Sequence, residues 1–531
     1  MSSSDYPARR FGPLPPWLGD AETSRSIPAE VWITGALVVI AAVIRIVVLT
    51  NQSYWADEAL TAYEAQLPLG AMLNTVVHVE TTPPLYFVLI WAWAHVFGTG
   101  EAALRSVSML AGVAIVPIAY LSGRDLVNPR AGVIAAALVA FNPFLIWYSQ
   151  EARAYMLLAA LSGASFLWFI RARRKPSRRN LAWWAIWSSL ALATHFFAGF
   201  LVAPEALWLL WSARTRIAAG AVALVAAVQV AMLPFALVDT GHGVGWIAQI
   251  PRHVRVAQAI SEWGVSIMYR RATLREAMLG GAVLLVLVVA LLAFGGDERI
   301  RRGAAVAAVI GAAVWVLPLL AGMLGQDYFL SRNLIPAVVP LAVVLGAACA
   351  APRLRVLGSL LAVVLTATFI YATIQVQTHA YLQRPDWRSV AHALGAPLVP
   401  RAILAANGTT AQPLKIYLPR VNWTQPTSQK VWVEEIDVVG DRKQLPLRPV
   451  RLVLPNLPAI LLRPRGAPTP ALVSPPGARL VDRFIVRNWL IGRFMLDHPR
   501  QMTVKQLMAL APEYFHRTPN ALLIFFQRAE R

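Results

Sequence analysis

Long apolar stretches separated by short polar segments dominate the chain between residues 31 and 374. A helix needs ~20 mostly apolar residues to cross the ~30 Å hydrocarbon core of a bilayer. Eleven stretches approach this requirement and are predicted as transmembrane helices: 31–49, 106–122, 131–147, 152–170, 181–197, 199–212, 217–237, 278–294, 304–321, 334–350 and 356–374. A further stretch, 83–98, opens with two prolines and is rich in Trp and Phe. We predict that it lies in the membrane interface.

Beyond residue 375 the hydropathy falls, and short mixed segments replace the long apolar ones. Two segments have helical periodicity and three are typical of strands: 389–394 and 503–515, then 401–407, 451–456 and 520–526. The pattern predicts a small α/β domain over 375–531. Residues 1–30 are polar and Pro-rich and contain no signal peptide, so we predict a mostly disordered cytoplasmic tail there.

Composition points to the same class of protein. The chain has 531 residues, of which 57% are hydrophobic and 14% are charged, whereas soluble domains carry about 25% charged residues. The mean hydropathy is +0.55. These values exclude a disordered chain and favour a polytopic membrane protein over a soluble enzyme. The single cysteine, Cys349, allows no intramolecular disulfide and no cysteine-based zinc pattern.

The net charge of +21 would suggest a nucleic-acid partner if the protein were soluble. The loop 171–180, however, holds six Lys or Arg residues and no acid, which predicts a cytoplasmic loop by the positive-inside rule. Counting spans from this loop places the N-terminus in the cytoplasm and the C-terminal domain outside the cytoplasmic (inner) membrane. Residues 380–531 carry 21 Lys or Arg and 9 Asp or Glu. This excess either attracts anionic lipid or polysaccharide or is an inert basic surface, and we expect no nucleic-acid partner.

The first candidate for chemistry lies just beyond the first span, where Asp57 and Glu58 follow Trp55. Adjacent carboxylates do not share one helix face, so the two should have different roles. One of them could accept a proton while the other orients the first or binds substrate. The alternative is a solvated cap at the start of a short helix.

Two further candidates lie in short outer loops. Glu151 and Arg153 occupy the loop 148–155, and Arg332 lies at the outer end of a span. A guanidinium group held at the membrane surface suits a lipid-linked phosphate, because it binds phosphate oxygens bidentately. The alternatives are a weak Glu–Arg pair at a helix end and an interfacial anchor.

Two single residues are weaker candidates. His195 lies at the outer end of a predicted span, where a lone histidine is more often structural. Glu205 falls in the middle of a span, and acids within a membrane are costly and often functional. Glu205 is therefore the main support for a different class of protein, a transporter or flippase of lipid-linked sugars. Neither an internal repeat nor a pair of broken helices accompanies it in the sequence.

Taken together, these motifs resemble those of the polyprenyl-phosphate-dependent glycosyltransferases of the GT-C fold. The nearest group is glycosyltransferase family 39 with its bacterial relatives, which include the aminoarabinose transferases and the protein O-mannosyltransferases. The resemblance covers roughly 50–390 and is carried by these residues: Trp55, Asp57 and Glu58; Pro83 and Pro84; Arg105 and Ser108; SQEARAYM at 149–156; Arg332; and PDWRSV at 385–390.

The resemblance implies a set of residue roles. Asp57 and Glu58 would be catalytic, with Asp57 as the base; Trp55, Glu151, Tyr155 and His195 would line the substrate and acceptor cavity; Arg153 and Arg332 would bind the donor phosphate. It also implies two juxtamembrane helices in the first outer loop, 50–105. Some lipid A-modifying members have Lys immediately before the Pro pair, where this chain has Thr82. This departure argues against the aminoarabinose assignment.

The implied architecture is an all-α polytopic membrane protein of the GT-C fold, with about eleven transmembrane helices over 31–374 and a soluble α/β domain after them. The implied activity is inverting transfer of a sugar from polyprenyl phosphate to a lipid, polysaccharide or protein acceptor. We expect a monomer without a cofactor or metal, although the oligosaccharyltransferase branch of the fold uses a divalent ion. Besides a transporter, a non-catalytic scaffold that binds lipid-linked sugars is an open alternative.

Overall fold

The computed structural model describes residues 28–80, 82–237, 247–265, 274–325, 327–406, 411–418, 430–441, 474, 477–487, 489–514 and 522–528. Its helices are α1 (Ala29–Val48), α2 (Ala56–Glu64), α3 (Leu69–Val79), α4 (Leu85–Phe97), α5 (Glu101–Leu126), α6 (Pro129–Phe141), α7 (Pro143–Ser149), α8 (Tyr155–Arg174), α9 (Arg178–Thr194), α10 (Gly199–Ala213), α11 (Arg216–Leu237), α12 (Arg252–Val265), α13 (Leu274–Ala290), α14 (Glu298–Met323), α15 (Val338–Cys349), α16 (Arg355–Thr378), α17 (Trp387–Leu394), α18 (Leu414–Tyr417) and α19 (Val504–Tyr514).

Each predicted span coincides with a helix or a helix pair. Within the described ranges, nine helical stretches are long and apolar enough to cross a membrane, and the bent pair α6–α7 makes a tenth. The eleventh prediction, 181–197, falls on α9, which has 17 residues. The predicted polytopic helical architecture is therefore confirmed. Most of the predicted tail, 1–30, lies outside the described residues.

The predicted span 131–147 is not one straight helix. Helices α6 and α7 meet at an angle of 54°. Pro143 cannot continue the helix hydrogen bonding of α6, and Asn142 starts α7 instead, since its side chain accepts a hydrogen bond from the Leu145 N–H at 3.1 Å. The bend directs the following loop, which contains Glu151 and Arg153.

The predicted first outer loop, 50–105, contains three short helices, α2, α3 and α4. Helix α4 has 13 residues, which at about 1.5 Å per residue gives a length of ~20 Å, less than the hydrocarbon thickness. This length agrees with the interfacial interpretation of 83–98. The loop starts where α1 ends and finishes where α5 begins, so we call this end of the bundle, marked by Val48, Glu101 and Tyr155, the site end.

Helix α8 occupies the centre of the bundle. The most apolar part of α8 is 83% buried, whereas the corresponding parts of α1 and α16 are 28% and 17% buried. Close helix approach accounts for the tight packing around it: a Cβ on Gly163 of α8 would lie 2.7 Å from Val339 Cγ2 of α15. A central, immobilised α8 gives Arg153 and Tyr155 fixed positions at the site end.

The C-terminal region forms a five-stranded mixed sheet with the order β3-β4-β2-β1-β5. The strands are β1 (Arg401–Ala406), β2 (Val431–Asp441), β3 (Ala478–Val486), β4 (Trp489–Met502) and β5 (Leu522–Gln527). Strands β1 and β2 are parallel, and the other pairs are antiparallel. Alternate residues of β1 face α17 and α18 on one side and α19 on the other.

The predicted α/β character of this region is confirmed: α17 and α19 fall on the predicted helices 389–394 and 503–515, and β1 and β5 fall on the predicted strands 401–407 and 520–526. The predicted strand 451–456 lies outside the described residues. Strands β2, β3 and β4 were not predicted.

The C-terminal region docks on the first outer loop at the site end. The Ser53 hydroxyl donates to the Pro385 carbonyl at 3.0 Å and accepts from the Trp387 N–H at 3.0 Å. Arg388 forms an ion pair of 2.8 Å with Glu101, at the start of α5. These contacts hold the chain segment that follows α16 against the loop that carries Asp57.

Candidate active site

Asp57 and Arg332 meet at the site end, although 275 positions separate them in the sequence. Asp57 lies in the first turn of α2, where the exposed N–H groups of a helix favour a carboxylate. Arg332 lies in the 3₁₀ turn Ser331–Ala337, just before α15. The Asp57 Oδ2 and Arg332 Nη1 atoms are 3.9 Å apart, and the two side chains are 35% and 25% exposed. A predicted base and a predicted phosphate ligand therefore share one accessible site.

Glu58, next to Asp57, points into the protein and is fully buried. Both its oxygens accept hydrogen bonds of 2.7 Å from the guanidinium of Arg105, and Oε1 also accepts one from the Ala152 N–H at 2.8 Å. Burial alone raises the pKa of Glu58, but the charge and hydrogen bonds of Arg105 outweigh burial and lower it overall. Glu58 is thus an ionised side chain whose hydrogen bonds connect α2 with α5 and with the loop after α7. Its catalytic role stays a prediction.

Glu151 is also buried but only partly paired. Its Oε2 accepts a hydrogen bond of 2.5 Å from Arg384 Nη2, while its Oε1 has no hydrogen-bond partner among the described residues. Burial raises the pKa of Glu151 to about 7, against the opposing charge of Arg384. The Glu58 and Asp57 carboxylates raise this pKa further. Glu151 therefore offers a buried acceptor oxygen close to Asp57.

Arg153 is held by a different carboxylate. Its guanidinium makes a bidentate pair with Glu80 at 2.8 and 2.7 Å and donates to the Thr61 hydroxyl at 3.2 Å. The charge of Glu80 keeps the pKa of Arg153 well above its usual range despite burial. The predicted role of Arg153 in phosphate binding stays a prediction, since it would require the guanidinium to be shared with Glu80 or released from it.

Aromatic rings form one wall of the site. The Arg332 guanidinium lies 5.5 Å from the centre of the Tyr155 ring, and the Tyr155 and His195 rings are 5.8 Å apart. The Trp55 ring lies 5.8 Å from the Arg384 guanidinium. The predicted cavity residues are thus gathered around Asp57 and Arg332. Their functional roles stay predictions.

Glu205 lies away from this site, inside the helical bundle. Its Oε2 accepts hydrogen bonds from the Ser165 hydroxyl at 2.6 Å and from the Trp184 N–H at 2.9 Å. These bonds connect α8, α9 and α10, and the side chain is fully buried. The contacts of Oε2 identify it as a helix-packing acceptor, while Oε1 has no hydrogen-bond partner among the described residues. This arrangement gives no specific support to a transporter.

Two charged residues at the site were not predicted, Arg384 and Glu80. Arg384 directly precedes the PDWRSV motif, and Glu80 directly precedes the segment TTPP. Their positions beside quoted motifs are the only signal that the sequence offers for them. No group of three or more His, Cys, Asp or Glu side chains that could hold a metal ion is found within the described ranges.

Glu64 is a buried acid on α2 without a hydrogen-bond partner for either oxygen in the part of the chain that the structure describes. Burial, and secondarily the charge of Glu80, raise the pKa of Glu64 to about 9, while Arg153 lowers it. Glu64 is therefore protonated at neutral pH in the folded protein. In the unfolded chain its pKa is ~4.3.

We expect the Glu64→Gln variant to be more heat-stable than the wild type above pH 7. The folded wild type binds a proton that the unfolded chain has lost, so its stability falls as pH rises from about 4.5 through about 9. Gln removes this loss. Melting temperatures in detergent should differ by several degrees at pH 9 and converge near pH 5. The exposed Glu298→Gln variant serves as the control and should follow the wild type; equal curves for all three proteins would contradict the assignment.

An apolar groove of about 460 Å³ runs along the bundle beside the site. Side chains of α4, α5, α8 and α9 line it, among them Trp93, Val107, Leu157 and Trp187. Leu157 follows Tyr155 by two residues, so the groove begins at the same level along α8 as the site, but on a different face of that helix. It reaches Trp168 on α8, about 16 Å further along the helix axis.

Residues 81–238 match the family model described as dolichyl-phosphate-mannose-protein mannosyltransferase. The match runs from just before α4 to the end of α11 and includes Arg105, Glu151, Arg153 and His195. It confirms, for this part of the chain, the family resemblance predicted from the motifs. No curated protein matches the sequence.

Several solved structures are similar to the chain at low identity. ArnT from Cupriavidus metallidurans bound to undecaprenyl phosphate is 13% identical, with a TM-score of 0.49 over 88% of this chain and 98% of that one. AglB from Archaeoglobus fulgidus, an archaeal oligosaccharyltransferase in complex with an inhibitory peptide and a dolichol-phosphate, is 14% identical, with a TM-score of 0.38 over 68% and 57%. The S. cerevisiae protein O-mannosyltransferase Pmt1-Pmt2 complex bound to the sugar donor is 18% identical, with a TM-score of 0.30 over 40% and 33%.

Proposed function

We propose that the chain is a membrane glycosyltransferase that moves a sugar from a polyprenyl-phosphate donor to an acceptor outside the cytoplasmic membrane. The observation that carries the proposal is the accessible pair of Asp57 and Arg332, 3.9 Å apart. A carboxylate that can accept a proton and a guanidinium that can bind phosphate are the two groups this reaction needs. The family match over 81–238 supports the same reaction class.

The reaction follows from these two groups. An acceptor O–H or N–H group attacks the anomeric carbon of the donor sugar and forms the new glycosidic bond. The bond between that carbon and the phosphate oxygen breaks with inversion, and polyprenyl phosphate leaves. Asp57 takes the proton of the acceptor, and the positive charge of Arg332 stabilises the negative charge that develops on the phosphate. No net oxidation or reduction occurs.

The apolar groove supplies a place for the lipid part of the donor. It begins at the level of Tyr155 along α8, and apolar and aromatic residues line it. A polyprenyl chain in the groove would bring its phosphate to the site end. Holding the donor and the acceptor in one place contributes to the rate in addition to the proton transfer.

The orientation in the membrane follows from charge. The basic loop 171–180 joins α8 to α9 at the end opposite to Tyr155 and His195. If that loop is cytoplasmic, as the positive-inside rule requires, the site end faces the outside. We infer that the N-terminus is cytoplasmic and that the C-terminal domain is extracytoplasmic. The acceptor would then be a lipid, glycan or protein of the cell envelope, and the site is complete within one copy of the chain.

Donor consumption tests the proposal. The purified protein in nanodiscs is given a panel of polyprenyl-phosphate sugars and a crude envelope extract. We expect the release of polyprenyl phosphate from one donor. Binding of a donor without release in the presence of the extract would indicate a binding scaffold, and a failure to bind any donor would contradict the proposal.

Filling the groove should weaken donor binding. Ala114 lines the groove from α5 and is itself exposed, so Ala114→Trp fills it without entering the protein core. We expect at least a tenfold loss of donor affinity, since displacing two CH₂ groups of the lipid costs ~1.6 kcal/mol. The control is Ala282→Trp, at an exposed position of α13 outside the groove lining.

A donor with a shortened prenyl chain distinguishes an effect of Ala114→Trp on the groove from an effect on the site. It should bind to the wild type and to Ala114→Trp with similar affinity, because its tail does not reach the filled part. Equal binding of the full-length donor to Ala114→Trp and the wild type would rule out the groove as the lipid site.

A further inference from the structure

We propose that Arg384 is a positioning residue of this site, which aims one oxygen of Glu151 at a hydroxyl group of the bound substrate. The inference rests on the proposed function. It assigns a role at the site to a residue from outside the transmembrane bundle, since Arg384 follows α16 and leads into the C-terminal domain.

The guanidinium of Arg384 is fixed from several sides. Nη2 donates to Glu151 Oε2 at 2.5 Å, and Nη1 donates to the Gln150 carbonyl at 2.9 Å. The side chain is 5% exposed, and its guanidinium lies 4.4 Å from the centre of the Trp147 ring and 5.8 Å from that of Trp55. Such a planar group, held by rings and hydrogen bonds, fixes the orientation of the carboxylate that it binds.

The backbone at Arg384 is fixed as well. Its N–H donates to the side-chain oxygen of Gln52 at 2.9 Å, and the next residue, Pro385, accepts from the Ser53 hydroxyl. Both partners belong to the loop that leads into α2. The position of Arg384 is therefore tied to the same loop that positions Asp57.

The free oxygen of Glu151 is the group that this arrangement presents. A buried acceptor without a hydrogen bond is costly, and Glu151 Oε1 is such an acceptor within the described residues. A hydroxyl group of a sugar bound in the site would donate the missing hydrogen bond to Glu151 Oε1. The hydroxyl belongs either to the transferred sugar or to the acceptor, and both present the same chemistry to an ionised carboxylate.

The charge state of Glu151 decides how strongly this oxygen accepts a hydrogen bond, because a carboxylate is a stronger acceptor than a protonated carboxyl group, which also donates. The groups that face it are Arg384 from the C-terminal segment, Asp57 and Glu58 from α2, Tyr86 from α4, Arg332 from the turn before α15, and Tyr148 and Tyr155 from α7 and α8. Among the cations, Arg384 has the larger lowering effect on the pKa of Glu151, and Arg332 has a smaller one. Without Arg384, Glu151 would be protonated at neutral pH.

The test compares the full-length variants Arg384→Gln and Arg384→Lys with the wild type in nanodiscs. We measure turnover of the active donor against pH. Wild-type turnover should rise with pH through a midpoint near 7, as Glu151 ionises. In Arg384→Gln the midpoint should move up by about one unit or more, and turnover at pH 7 should fall about fivefold or more. Arg384→Lys keeps the charge and should restore part of both effects.

A matched control and a double variant separate positioning from folding. Arg388, in the same segment, is 43% exposed and pairs with Glu101 away from Glu151, so Arg388→Gln should leave the midpoint unchanged. The effects of Arg384→Gln and Glu151→Gln should be strongly non-additive in the double variant. If the Arg384→Gln variant binds the donor more weakly, the hydroxyl that contacts Glu151 belongs to the donor sugar. If its KM for the acceptor rises instead, the hydroxyl belongs to the acceptor.

An infrared titration without substrate makes the inference independent of activity. The protonated carboxyl band of Glu151, assigned by its loss in Glu151→Gln, should persist to higher pH in Arg384→Gln. An unchanged infrared midpoint overturns the inference, as does a shifted infrared midpoint with an unchanged turnover profile. A wild type that turns over no donor contradicts the proposed function instead, and the infrared shift then still reports the coupling of Arg384 to Glu151.

Discussion

Replacing Asp57 with Asn is expected to lower sugar transfer by about 10²–10⁴-fold while the protein keeps its fold. Asn has the same shape as Asp but accepts no proton at neutral pH. Asp57 is partly exposed, and its nearest cation, Arg332, is 3.9 Å away, so the loss of this contact should cost little stability. Polyprenyl-phosphate release, measured beside the melting temperature, separates the two effects.

The control for Asp57→Asn is Asp297→Asn. Asp297 also begins a helix, and it caps α14 by accepting from the Ile300 N–H at 2.8 Å. Asn caps helices about as well as Asp, so this variant should retain both stability and transfer. Full transfer by a folded Asp57→Asn protein would contradict the assignment of Asp57 as the base.

Charge pairing explains why two neighbouring acids differ so much. Glu58 is ionised, buried and fully hydrogen-bonded by Arg105 and Ala152, and therefore offers no free oxygen. Asp57, one position earlier, points to the accessible side and faces Arg332. The rotation of about 100° per residue in a helix separates the two carboxylates, so α2 presents one to the site and the other to the protein interior.

The helical architecture could be predicted because it depends on local hydropathy. All eleven apolar stretches form helices or a helix pair. The bend at Pro143 was missed because the hydropathy of 131–147 is continuous across it. The strands β2, β3 and β4 were also missed. Strand β2 pairs with β4, far along the chain, whereas β3 and β4 follow each other directly and pair as antiparallel neighbours.

The candidate site was predictable only in part. Motifs identified Asp57, Glu151, Arg153 and Arg332 as charged residues of outer loops, but a motif does not specify which charges pair. Glu151 is held by Arg384, some 230 residues later in the chain, and this contact exists only because the C-terminal segment docks on the first outer loop. The partners of buried charges are set by the tertiary fold.

The buried pair of Glu58 and Arg105 should dominate the stability of the site end. Both side chains are fully buried and their charged atoms are 2.7 Å apart. Glu58→Gln leaves the Arg105 guanidinium buried without its counter-charge, which costs about 3–5 kcal/mol. We expect a fall in melting temperature of several degrees or a failure to accumulate folded protein, measured by size-exclusion melting curves in detergent. The exposed pair of Glu298 and Arg302 gives the control, and Glu298→Gln should cost about 0.5 kcal/mol or less.

The stability of the reciprocal variant, Arg105→Met, should depend on pH differently from that of Glu58→Gln. This difference shows whether the loss of stability comes from an uncompensated charge. Arg105→Met leaves Glu58 with the more distant cation Arg384, whose Nη1 lies 3.9 Å from Glu58 Oε2. A carboxylate can escape its burial penalty by binding a proton, whereas a guanidinium cannot lose one in a protein. Arg105 no longer lowers the pKa of Glu58 in this variant, so its folded pKa rises above the unfolded value. The loss of stability in Arg105→Met should therefore be small near pH 5 and grow as pH rises, while the loss in Glu58→Gln should persist at low and high pH. Equal pH dependence of the two variants would indicate lost packing rather than an uncompensated charge. The double variant, which leaves neither charge unpaired, should recover part of the stability.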